Sequence, residues 1–158
     1  MLTLSKSQRI VDAAVRRAQH LKINVSVAVC DTSGRLIVLN QMDGSVNWQE
    51  DRCSMGRAVA AAIIGLPSAR LFEKFGKVGL RVSSYNNVVP PRGERGGLPV
   101  VEVGIVQGGC GVSGAPTPEQ DEECARAGIT ALDTPATEPT LATYSGRSSP
   151  SLSIASSA

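Results

Sequence analysis

An α/β domain of the α+β type is the fold this sequence predicts, and three observations predict it. Segments with a helical period alternate with short β-branched strands, in the order helix, strand pair, helices, strand pair, helix. Each strand pair is interrupted by a turn signal, which makes its two strands antiparallel neighbours. The 158 residues are enough for one domain with a sizeable core.

From about Ser5 to Leu21, Ile10, Ala14, Ala18 and Leu21 recur on one helical face, with Val11 and Val15 beside it. Arg9, Arg16, Arg17 and Lys22 fall on the other side and read as a solvated face. Val25 to Cys30 and Arg35 to Met42 are extended apolar runs around the turn DTSG, and an Asp43-Gly44 turn ends the second. From Trp48 to Gly65 the pattern is helical and rich in alanine, stopped by Gly65-Leu66-Pro67, with a short helix expected from Ser68 to Phe75. Gly76 to Gly96 shows no clear pattern, and within and just past it the run VVPPRGERGG, Val88 to Gly97, reads as a mobile loop. Leu98 to Val103 and Ile105 to Val112 form a second hairpin around Gly104. Thr117, Pro118 and Gln120 then mark a helix start of the T-x-x-Q type, with Glu119, Asp121, Glu122 and Glu123 where the helix dipole favours acids. The domain is expected to span residues 1–133. Residues 134–158, dominated by Ser, Thr, Pro, Ala and Gly, are expected to form a disordered tail.

Composition narrows the function classes. Apolar residues make up 42% and charged residues 19%, as in ordinary globular proteins, while aromatics at 3% leave the core to Val, Ile, Leu and Ala. A net charge of +2 gives no argument for nucleic acid or an anionic membrane. No apolar run approaches the roughly 18 residues of a membrane span. A charged helical segment follows Leu4 directly instead of a signal-peptide core, so the expected location is cytoplasmic. Cys30, Cys53, Cys110 and Cys124 are too far apart for a CxxC metal or redox motif, and Cys30 and Cys110, inside apolar strand patterns, read as buried thiols.

The most informative stretch is Gly96 to Arg126, where a strand carrying Gly108, Gly109 and Gly111 runs into the Thr117 helix start. Glycine inside a strand marks close approach to the backbone, by a ligand, a packed helix or a neighbouring subunit. A glycine-lined strand beside a helix N-terminus also suits an anionic or flat ligand. The candidate ligand-binding residues are therefore Arg57, Gly111, Val112, Ser113, Gly114 and Thr117. Asp43, Arg57 and Glu119 are the candidates for catalysis, with the guanidinium holding a carboxylate and a carboxyl group moving a proton. No Ser-His-Asp set, nucleotide loop or metal cluster is visible.

The order DTSGRLIVLNQMDG, GRAVAAAIIGLP and GGLPVVEVGIVQGGCGVSGAPTPEQDEECARAG resembles the GlcG/HbpS family over roughly Leu4 to Leu132. That family includes the heme-binding HbpS proteins and the C-terminal domain of PduO-type proteins. The resemblance implies a three-layer domain with an antiparallel sheet of about five strands flanked by helices, and assembly into homo-oligomers. Asp43-Gly44, Gly56 to Ala58, Gly97 to Val101, Gly111 to Gly114 and Glu119 to Asp121 carry the match. Where relatives commonly have GKA followed by Thr-Ala, this chain has Gly56-Arg57-Ala58 followed by Ala60-Ala61. Where many have Asp-Gly between the last strands, it has Val103-Gly104. Heme is the cofactor the resemblance implies. Iron would need the single histidine, His20, or Met42, Met55, a cysteine or a hydroxyl. The expected function is a small-ligand-binding homo-oligomeric domain, with heme or another tetrapyrrole as ligand. The alternatives are an enzyme acting on a small carboxylated metabolite and a self-packing accessory subunit.

Overall fold

The computed structural model of the chain describes residues 1–45, 50–71 and 94–134. The elements are α1 (Leu4–Leu21), β1 (Ser26–Asp31), β2 (Leu36–Gln41), α2 (Glu50–Ile64), a 3-10 turn (Ser68–Arg70), β3 (Gly97–Glu102), β4 (Ile105–Ser113) and α3 (Pro118–Thr130). Most of the unpatterned stretch from Gly76 to Gly96 and of the expected Val88 to Gly97 loop, the end of the expected short helix and the expected tail beyond Thr134 lie outside the described residues.

Both hairpins form, and they join through their inner strands. The sheet order is β2-β1-β4-β3, antiparallel throughout. The sheet thus has four strands among the described residues, where about five were expected. The starts of α1 and α3 have a local cause. Thr3 caps α1 by accepting from the Lys6 amide at 3.2 Å. Thr117 caps α3 by accepting from the Gln120 amide at 3.4 Å, with Pro118 in the first turn.

The alternation of side chains across the strands builds three layers. On one face, Val27, Val29, Leu98, Val100, Cys110 and Val112 pack with Ile10, Val11, Ala14 and Ala18 of α1 and Cys124 and Ala125 of α3. On the other, Ala28 and Cys30 meet Ala58, Val59 and Ala62 of α2. The second face is made almost entirely of small residues, and that brings α2 down onto the sheet backbone. A Cβ on Gly109 would overlap the Ala58 carbonyl, and one on Gly111 would overlap the Ser54 carbonyl. Ser26 and Ser54 complete this contact with hydroxyl oxygens 3.1 Å apart. Close approach by a helix is thus what Gly109 and Gly111 make room for.

The arginine face of α1 is only partly solvated. Arg9 donates to the Ala131 carbonyl at 2.6 Å and to the Thr134 carbonyl, and Arg17 Nε donates to Glu123 at 2.9 Å. Arg17 therefore ties α1 to α3, and Arg9 ties it to the turn that follows α3. No helix among the described residues is long and apolar enough to cross a membrane.

Candidate functional site

The residues singled out along the glycine-rich strand do come together, around a buried ion pair. Arg57 lies on α2 with 9% of its surface exposed, and Asp121 lies on α3 with 3%. Arg57 Nη1 donates to Asp121 Oδ2 at 2.6 Å and to the Val112 carbonyl. The other carboxylate oxygen of Asp121 accepts from the Ala115 amide at 3.0 Å. One guanidinium and one carboxylate thus tie α2, the end of β4, the Gly114-Ala115 turn and α3 into one unit. The sequence marks Asp121 only as an acid placed where the helix dipole favours it. Its role as the partner of Arg57 had no signal in the spacing, because 64 residues separate the two in the chain.

Around this pair the remaining candidates divide by exposure. Gly111, Val112 and Ser113 are buried, and the space above Gly111 is filled by the backbone of α2. Gly114 is half-buried with φ +112, and Thr117 is exposed. Glu119 is exposed in the first turn of α3, 3.7 Å from the guanidinium of Arg95, which also lies 3.8 Å from Glu122. Asp43 sits elsewhere, exposed in the turn after β2, where Gly44 takes φ +79 beside Asn24. His20 is exposed in the last turn of α1, on the far side of the sheet from α2. Met42 packs on that same α1 face.

The sequence did not reveal an apolar cavity of about 280 Å³ between the β1–β2 turn and α2, lined by Cys30, Gly34, Arg35, Leu36, Met55, Ala58 and Val59. Its walls follow from register. Cys30 pairs with Leu36 across a β-bulge, so both face α2, and Gly34 approaches Val59 and Ile63. Outside the cavity the same face continues through the exposed Leu39 and Ile63. Its chemistry is mostly inert. Burial pushes the Cys30 thiol up to about 12, so it stays protonated at neutral pH. The charged group at the rim is Arg35, whose side chain is 81% exposed and whose Nε donates to Asp31 Oδ2 at 3.0 Å. Asp31 Oδ1 in turn accepts from the backbone amides of Ser33 at 2.9 Å and Arg35 at 3.0 Å, which sets the turn. Burial raises the Asp31 carboxyl, but these amides and the Arg35 guanidinium outweigh it and hold it below the usual carboxylate range. Among the described residues, no group of His, Cys, Asp and Glu could hold a metal ion.

Solved structures share this architecture. A double mutant of Streptomyces reticuli HbpS is 30% identical, with a TM-score of 0.72, and the match covers 83% of this chain and 86% of that one. A PduOC–heme complex is 26% identical with a TM-score of 0.69, covering 82% of this chain and 94% of that one. The ORFY protein of Klebsiella pneumoniae, at 23% identity and a TM-score of 0.71, covers 84% and 90% and supports the fold. No curated protein matches the sequence. The family model for the haem degrading protein HbpS-like group matches residues 2–130, nearly the whole described core, and this chain belongs to that HbpS-like family.

Proposed function

We propose that the protein is a small-ligand-binding, self-associating domain whose ligand enters the cavity between the β1–β2 turn and α2, with heme as the leading tetrapyrrole candidate. The observation that carries this reading is an apolar, partly enclosed cavity in a chain of the HbpS-like family. The heme in the PduOC complex supports the choice of ligand.

The residues at the cavity fit a heme in kind. Met55 brings a thioether, a known class of axial ligand, whereas the Cys30 thiol at about 12 does not supply a thiolate. Arg35 is placed to pair with a propionate at the rim. Bound heme would supply redox chemistry. This chain's own residues would hold the macrocycle edge and shield it from water. At about 280 Å³ the cavity sits just under the roughly 300–1,000 Å³ of ordinary ligand pockets. The rest of a macrocycle would therefore lie over Leu36, Leu39 and Ile63, which are exposed in the single chain. These residues, with β2 at the edge of the sheet among the described residues, also support self-association.

Hemin titration followed at the Soret band tests the ligand. Saturable binding is expected, weakened about tenfold or more by Met55→Ala and unchanged by His20→Ala. No saturable binding, or loss of it on His20→Ala alone, refutes the heme assignment at this cavity. Light scattering showing a monomer at all concentrations refutes self-association.

A further inference from the structure

The cavity combines two features whose pairing defines a ligand class. Its walls are hydrocarbon and sulfur, from Leu36, Met55, Ala58, Val59 and Cys30, and its rim carries one guanidinium. Arg35 uses its Nε on Asp31, while among the described residues its two terminal amino groups have no partner. The planar fork of Arg presents those groups together, which matches the two oxygens of a carboxylate. The ion pair with Asp31 is exposed on the arginine side, so it costs little to share or exchange. A carboxylate beside a low-dielectric cavity gains more from the same cation than it would in bulk water.

We infer that this site binds small amphipathic monocarboxylates, with the hydrocarbon body in the cavity and the carboxylate on the terminal amino groups of Arg35. The inference rests on the ligand-binding reading above but not on heme, since a propionate and a free acid offer the same head group. Size separates the two: the enclosed volume suits a short-chain or single-ring acid as a whole, and only the edge of a macrocycle. Asp31 is then a competitor. Its carboxylate occupies the cation that the ligand needs, and neutralising it strengthens binding. Asp31→Asn retains an oxygen able to accept from the Ser33 and Arg35 amides, so the turn survives the change.

The test is isothermal titration of the full chain with octanoate, with 1-octanol as the uncharged counterpart, and with octanoate in the presence of saturating hemin. Saturable octanoate binding is expected, with octanol at least tenfold weaker. Arg35→Gln is expected to weaken octanoate at least tenfold without changing the melting temperature appreciably, because that side chain is exposed. Asp31→Asn is expected to tighten it severalfold. Octanol binding as well as octanoate, an unchanged affinity in Arg35→Gln, or no saturable heat with octanoate each overturns the inference. Hemin binding without octanoate binding leaves the heme reading standing and removes this one; octanoate binding without hemin binding does the reverse. Displacement of octanoate by hemin supports a shared site.

Discussion

Val103 occupies a position that few β-branched residues tolerate. It has φ +50, is followed by Gly104 at φ +74, and is 99% exposed, so nothing packs on the side chain to hold it there. Two successive left-handed residues define the type I′ hairpin turn, which favours Asn-Gly or Asp-Gly. A branched Cβ in that region costs on the order of 1–2 kcal/mol. Val103→Asn should therefore raise stability by about 1 kcal/mol, read as the urea midpoint, with no change in fold. A midpoint that stays or falls would show that the valine makes a contact within an assembly. Gly111 is the opposite case, because its backbone is ordinary and its surroundings are full. Gly111→Ala forces a methyl into the Ser54 carbonyl and should cost about 3 kcal/mol or more. Gly104→Ala meets nothing within 4 Å and should cost only the backbone strain, about 1 kcal/mol. Equal losses at the two sites, measured by urea unfolding, would contradict the tight helix-on-glycine packing.

Among elements, α2 is seated by two means. Glycines of β4 let it approach, and Arg57 ties it to α3 through Asp121. The approach explains why residues Gly56 to Ala62 are buried in an unbroken run, so that no single apolar stripe marks the inward side of this helix. Removing one member of a buried ion pair leaves the other without its counter-charge, at a cost of roughly 3–5 kcal/mol. Arg57→Ala should show a loss of that size in urea unfolding, whereas Arg57→Lys, which keeps the charge but not the planar fork, should lose less. If Arg57→Ala unfolds like the parent protein, the clamp between α2 and α3 has no energetic weight.

For the molecule as a whole, pH sets limits at both ends. Burial pushes Cys30 and Cys110 up to about 12 and Cys124 up to about 11, from an ordinary value of 9.0. A thiol whose pKa is higher in the folded state favours folding fully below its unfolded value. That contribution is lost as pH rises, because only the unfolded chain then ionises. Stability should therefore decline from about pH 9 towards pH 11–12, and less steeply in Cys110→Ala. At the acid end Asp31 and Glu102 are held low, the latter by its hydrogen bond from Lys6 at 2.6 Å. Their contribution is present above the ordinary carboxylate range and disappears as pH falls through it. Urea midpoints across pH 3 to 11 check both limbs. A flat alkaline limb would show that the thiols reach solvent in the folded state.

Local chemistry along the chain by itself determines a good part of this protein. The spacing of Ile10, Ala14 and Ala18, the turns at Asp31–Gly34 and Val103-Gly104, and the Thr117 cap act over a few residues, and each formed close to where the sequence placed it. The ordered segments DTSGRLIVLNQMDG, GRAVAAAIIGLP and GGLPVVEVGIVQGGCGVSGAPTPEQDEECARAG mark the family. What needed the tertiary structure were the contacts between distant elements. The glycines of β4 announced a close approach, but only the packed α2 showed what approaches. Arg57 finds Asp121 64 residues away, and the cavity appears where the register of β1 on β2 turns Cys30 and Leu36 towards Met55 and Val59. The physical reason is range: capping, turns and periodicity are fixed by near neighbours in the chain, whereas burial, ion pairing and enclosed space exist only once remote segments share one volume.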